Sequence, residues 1–80
     1  MGSSMPLSLL PEGKIGRVCG INAGKKLSRR LFEMGFAPDV PVQVQRGNCG
    51  ALVVLVNGMK YALGRGMAFK IMVRDSQENE

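Results

Sequence analysis

Eighty residues make one small domain, and a chain of this size buries only roughly 60% of its unfolded surface, so its local signals must agree with one another. A composition that is 45% hydrophobic and 21% charged, with eleven glycines and no Trp, is globular and rich in tight turns, without repeats or low-complexity segments. The net charge is +5, but the last six residues, DSQENE, hold three acids and no base, so residues 1–74 carry +8 and attract an anionic partner: nucleic acid, an anionic membrane face or an acidic protein surface.

The chain opens with MGSS ahead of a second Met. Residues 1–4 read as a remnant of expression, with Met5 the natural start and one domain over residues 5–75. No basic region precedes an apolar core, so no secretory signal is expected. The longest apolar run, ALVVLV, has six residues against the roughly 20 of a membrane-spanning helix. The expected location is the cytoplasm, without membrane insertion.

The first strand is KIGRVCGI, Lys14 to Ile21, with Ile15, Arg17, Cys19 and Ile21 on one side and Val18 with glycines on the other. The spacing then changes. In GKKLSRRLFEMGFAPD, Leu27, Leu31 and Met34 stand at i, i+4 and i+7, one face of a helix. Asn22 or Gly24 could cap its start. Gly35 suits the left-handed residue after the helix, Phe36 is placed to pack back on the last turn, and Pro38 prevents continuation. A helix of about two and a half turns must be held by packing on the remainder of the domain.

The same helix carries Lys25, Lys26, Arg29 and Arg30, with 25/29 and 26/30 each one turn apart, which predicts a basic patch opposite Leu27 and Leu31. Lys25 and Lys26 lie in the first turn, where the helix dipole prefers anions; Glu33 lies in the last turn, where it prefers cations. Each inversion costs a few tenths to ~1 kcal/mol at low salt, and Arg29 to Glu33 at i,i+4 returns a fraction of that. Charges that cost stability without a packing benefit point to an anionic group visiting the helix N-terminus, and Lys25, Lys26, Arg29, Arg30 and Glu33 are the candidate partner-binding residues. GKK is no nucleotide loop, because G-x-x-x-x-G-K-[ST] would need Gly at position 19, which is Cys, and Ser or Thr at 26, which is Lys.

Strands follow at VPVQVQR, Val40 to Arg46, with Val40, Val42 and Val44 inward, and at ALVVLV, Ala51 to Val56, which is apolar on both faces and reads as central and covered on both sides. RGNCG joins them. Asn57-Gly58 is a strong hairpin signal, since both residues tolerate positive φ, and it leads into MKYAL, Met59 to Leu63, with Met59, Tyr61 and Leu63 on one face. GRGMA, Gly64 to Ala68, reads as a tight turn of 3₁₀ character. FKIMVR closes the domain with Phe69, Ile71 and Val73 inward, and residues 76–80 read as a disordered acidic tail. Five short strands in so small a chain need closure, because an open sheet leaves unpaired edges. The expected fold is mostly β: a small SH3-like barrel with one short α-helix between its first and second strands.

Catalysis has little footing: the chain has no His, no paired carboxylates and no base beside Ser28. Cys19 and Cys49 form no C-x-x-C pair and are too few for a secreted disulfide framework or a structural metal site. No cofactor is expected, and Cys49, in the RGNCG turn, is expected to be exposed and oxidisable.

The assembled segments LSLLPEGKIGRVCGI, RRLFEMGFAPD, VPVQV and YALGRGMAFKIMV resemble, in order, the FeoA family of ferrous iron transport accessory proteins. Leu7, Leu10 and Gly13 match its L-x-x-L-x-x-G opening. Arg30, Leu31, Met34, Gly35 and Pro38 match R-L-x-x-M-G-x-x-P-G, and Ala62, Leu63, Ala68, Ile71 and Val73 match A-L-x-x-x-x-A-x-x-I-x-V. Asp39 departs from the Gly usual there, and Asp tolerates unusual φ better than most residues. The resemblance implies a cytoplasmic SH3-like protein that binds or regulates FeoB, a membrane Fe²⁺ transporter with a cytosolic GTP-binding domain, and does not itself carry iron. The alternatives are a nucleic-acid-binding barrel, disfavoured by the lack of surface aromatics between strands for base stacking, and the regulatory SH3-like domain of iron-dependent repressors. Self-association stays open.

Overall fold

The computed structural model describes residues 4–48 and 50–75. It contains six strands: β1 (Ser4–Pro6), β2 (Ile15–Ile21), β3 (Pro41–Gly47), β4 (Ala51–Val56), β5 (Met59–Gly64) and β6 (Ile71–Asp75). A 3₁₀ turn spans Leu7–Leu9, and two α-helices span Lys25–Met34 (α1) and Arg65–Ala68 (α2). All pairings are antiparallel, in the order β1-β6-β2-β3-β4-β5. The main helix therefore follows the second strand and not the first. The added strand, β1, pairs Ser4 with Arg74 and Pro6 with Met72; three residues carry no readable alternation. It begins inside the segment that reads as an expression remnant. Cys49 and residues 76–80 lie outside the described residues.

The sheet bends where its register slips, between Val18 and Gly20 against β6 and between Val44 and Arg46 against β4; each bulge adds twist and re-aims the strand. Bending brings one face inward. Val18, Val42, Val44, Leu52, Val54, Val56, Leu63, Ile71 and Val73 are buried there, together with Leu7, Leu10, Leu31, Phe36 and Ala68. Burial of the motif residues Leu7, Leu10, Leu31, Leu63, Ala68, Ile71 and Val73 makes the family pattern largely a core pattern. Among the described residues no buried side chain is polar or charged, so the core relies on apolar burial alone.

The turn chemistry follows the residues. Asn57 (φ 53°) and Gly58 (φ 77°) form the β4–β5 hairpin turn, and Gly35 (φ 117°) ends α1, donating its N–H to Leu31 and Phe32 carbonyls. Asp39 occupies φ 67°, so the departure from Gly leaves the turn intact. Its carbonyl accepts from Arg17 at 2.8 Å and its carboxylate from Arg74 at 3.3 Å. Arg65 ties the far end together, donating to the carbonyls of Asn48 (2.6 Å) and Ser8 (3.0 Å).

Four further expectations are corrected. The segment Gly64–Ala68 contains a single turn of α-helix, and Phe69 completes that turn, its N–H on the Arg65 carbonyl, instead of starting the last strand. Phe69 is consequently 59% exposed. In β4, Leu52, Val54 and Val56 are buried, but Ala51, Val53 and Leu55 are only half-buried. A single curved layer has one interior; on its outer side Leu55 is flanked by Gln43 and Lys60 of the neighbouring strands, whose aliphatic stems give partial shelter. Met59 shares the face of Leu63 and pairs with buried Val56, but it sits beside the hairpin turn on the edge strand β5 and is exposed.

Candidate functional site

Helix α1 has the polarity its sequence predicts. Gly24 occupies the N-cap position with no side-chain hydrogen bond, the first turn holds no acid and the last turn no base. Ser28 donates its backbone N–H to the Gly24 carbonyl (2.9 Å) and its Oγ–H to the Ala23 carbonyl (3.1 Å), which spends the hydroxyl on the helix start. Leu31 is fully buried, and Leu27 and Met34 pack partly on the core.

The structure sorts the five candidate partner-binding residues. Lys25, Lys26 and Arg29 converge on one shallow hollow of about 250 Å³ at the start of α1. Arg30 goes elsewhere: it lines a second hollow, with Leu27, Leu31 and Met34 of α1 and Ala62, Leu63, Gly64 and Met67 beyond it. The patch opposite Leu27 and Leu31 is thus three charges, and Arg30 sits on the flank beside those leucines. Glu33 is exposed. Among the described residues, ion pairs join Lys14 to Asp75 and Arg74 to Asp39; none joins Arg29 to Glu33. Among the described residues these three exposed cations make no ion pair with a carboxylate.

Beside the hollow, and sharing Arg29 with it, lies an open apolar groove of about 430 Å³ between α1 and β2, lined by Val18, Gly20, Ile21, Ser28, Arg29, Phe32, Phe36 and Pro38. Val18 and Phe36 are its buried floor, while Phe32 is 56% exposed. Sequence reasoning did not single out this groove. Its one signal is Phe32, an aromatic set off the Leu27–Leu31–Met34 face of a helix whose core contacts were already accounted for. Among the described residues no three His, Cys, Asp or Glu side chains gather to hold a metal ion, and no helix is long and apolar enough to cross a membrane.

The FeoA domain model matches residues 5–75. The chain belongs to the FeoA family. A protein of Methanocaldococcus jannaschii named as an Fe(2+) transport protein A is 37% identical over 78 residues, spanning 94% of this chain and 95% of that one. A crystal structure of an iron uptake regulatory protein (FeoA) superposes with a TM-score of 0.83 at 33% identity, covering 90% of this chain and 97% of the other. The FeoA of Stenotrophomonas maltophilia, solved with zinc and described as an SH3 domain protein, superposes at 0.78 with 28% identity, covering 86% and 88%. This chain is therefore a ferrous iron transport accessory protein with an SH3-like fold.

Proposed function

We propose that this FeoA-family chain works in the cytoplasm as a regulatory module of ferrous iron uptake, binding a FeoB-type transporter on its cytosolic GTP-binding portion. The observation that carries the proposal is the cluster of Lys25, Lys26 and Arg29, three cations in one hollow at a helix start, without acids in that turn. Lys25 and Lys26, in the first turn, each oppose the helix dipole at a cost of a few tenths to ~1 kcal/mol. An acidic partner surface removes that cost on docking and speeds encounter. The transporter performs transport and GTP hydrolysis; the module supplies only contacts.

The test is the variant Lys25→Glu/Lys26→Glu/Arg29→Glu, measured in two ways. Its melting temperature should be unchanged or slightly raised, because the first turn then suits the dipole. Co-purification with the full transporter from iron-limited anaerobic cells, and ferrous iron uptake, should both fall. Unchanged uptake and association would make the cluster a solvated face and end the proposal. Retarded mobility of mixed DNA and RNA at physiological salt, with steep salt dependence, would favour nucleic acid as the anionic partner instead.

A further inference from the structure

We infer that the α1–β2 groove and the basic hollow form one two-part recognition surface for an acidic amphipathic segment of a protein partner, with a bulky apolar side chain seated in the groove and carboxylates on the cations. This rests on the proposal that the basic face of α1 meets a protein, and it adds which surface is used and what the partner must present.

Three observations carry it. First, the two hollows are adjacent: Arg29 lines both, so an anchor in the groove brings flanking residues toward Lys25 and Lys26. Second, the groove is apolar where a side chain would sit, with Phe36 as floor and Ile21 and Phe32 as walls. An aromatic left 56% exposed at the wall of such a groove buries its remaining surface only when something occupies the groove, at about 25 cal/mol per Å² removed from water. Third, Gly20 lines the groove without a side chain, and a Cβ placed there would meet nothing within 4 Å, so that stretch of the lining is open and takes a larger residue without a clash. The charge decides the occupant. Apolar contact alone is indifferent to partner, but an apolar floor rimmed by cations with no ion pair among the described residues selects a segment that joins apolar anchors to acids, and it repels a second basic copy of this domain.

The experiment is a fluorescence-anisotropy titration of a fluorescein-labelled peptide of alternating Glu and Leu with one central Trp. Companion peptides carry Gln for every Glu, or Ser for every Leu and Trp. The wild-type chain should bind the first peptide and lose roughly tenfold or more in affinity for either companion, as expected when a central anchor or its charged frame is removed. Phe32→Ala removes a wall that is mostly exposed. Gly20→Ile adds atoms to the groove lining at a position where a Cβ meets open space. Both should keep the wild-type melting temperature and weaken the peptide roughly tenfold.

Binding that survives both variants, or that ignores the loss of Leu and Trp, would show a purely electrostatic contact and overturn the inference. Sedimentation showing a dimer that Phe32→Ala dissociates would make a second copy the occupant and overturn it equally. Co-purification of Gly20→Ile with the full transporter separates the two proposals. Peptide binding that depends on the groove, with transporter association unchanged in both Gly20→Ile and the triple charge variant, leaves the two-part surface standing and removes the transporter as its partner. Transporter association lost only in the charge variant, with no groove-dependent peptide binding, does the reverse.

Discussion

Gly35 is the position where one methyl group tests most of the local reasoning about α1. Its backbone sits at φ 117°, ψ 0°, a region that an L-residue enters at a cost of roughly 1–2 kcal/mol. A Cβ there would lie 3.0 Å from Asn57 Nδ2 and 3.7 Å from Val56 Cγ2. The closer atom is the end of a side chain with no hydrogen bond among the described residues, so it can swing aside, and the contact adds only a few tenths of a kcal/mol. Gly35→Ala should therefore lose about 1–2 kcal/mol, nearly all of it from the backbone. In a domain of this size each kcal/mol lowers Tm by roughly 4–8 °C, so the expected fall is about 4–16 °C. Thermal melting by circular dichroism reads it, with urea unfolding to confirm that the slope is unchanged. The double variant Gly35→Ala/Asn57→Gly divides the loss: it removes the close contact and keeps the strained φ. If the backbone dominates, the double variant stays within about 0.5 kcal/mol of the sum of the singles. Full recovery in the double variant would place the cost in the contact and refute the conformational account. An unchanged Tm in Gly35→Ala would mean that α1 does not end in a left-handed residue.

At Asp39, φ 67° should make Asp39→Val lose about 1–2 kcal/mol. Asp39→Gly, which gives up only an exposed ion pair with Arg74, should stay within about 1 kcal/mol of wild type by urea unfolding. Gly16→Ala places a methyl 3.0 Å from Val73 Cβ and 3.1 Å from the Arg74 carbonyl; neither neighbour is a flexible chain end, so a loss of about 1–3 kcal/mol is expected from overpacking the β2–β6 pair, read as a fall in Tm. Anaerobic Fe²⁺ titration by calorimetry should find no stoichiometric site tighter than roughly micromolar, since soft or imidazole ligands are not gathered anywhere among the described residues; a submicromolar site would overturn this.

What the sequence determined alone is what short-range geometry controls. The alternation of Val42 and Val44, the positive φ of Asn57, Gly58 and Gly35, and the span of α1 all depend on residues within a few positions of one another, and each stands where its residue type predicts. The strand at Ser4, Met5 and Pro6 is not legible in those three residues, because it is defined by pairing with Met72 to Arg74, distant in sequence. Phe69 alternates correctly with Ile71 and Val73, yet it is exposed because the helical turn from Arg65 continues through it before the strand begins. The candidate site divides along the same line. That α1 is basic and opposed to its dipole is legible in GKKLSRR. That Arg29 joins the lysines while Arg30 lines a hollow with β5 and α2, and that Phe32 walls a groove shared with β2, depends on how α1 sits between these elements. The docking angle of a helix on a sheet comes from the shapes of many buried side chains at once, and no local pattern in the chain encodes it.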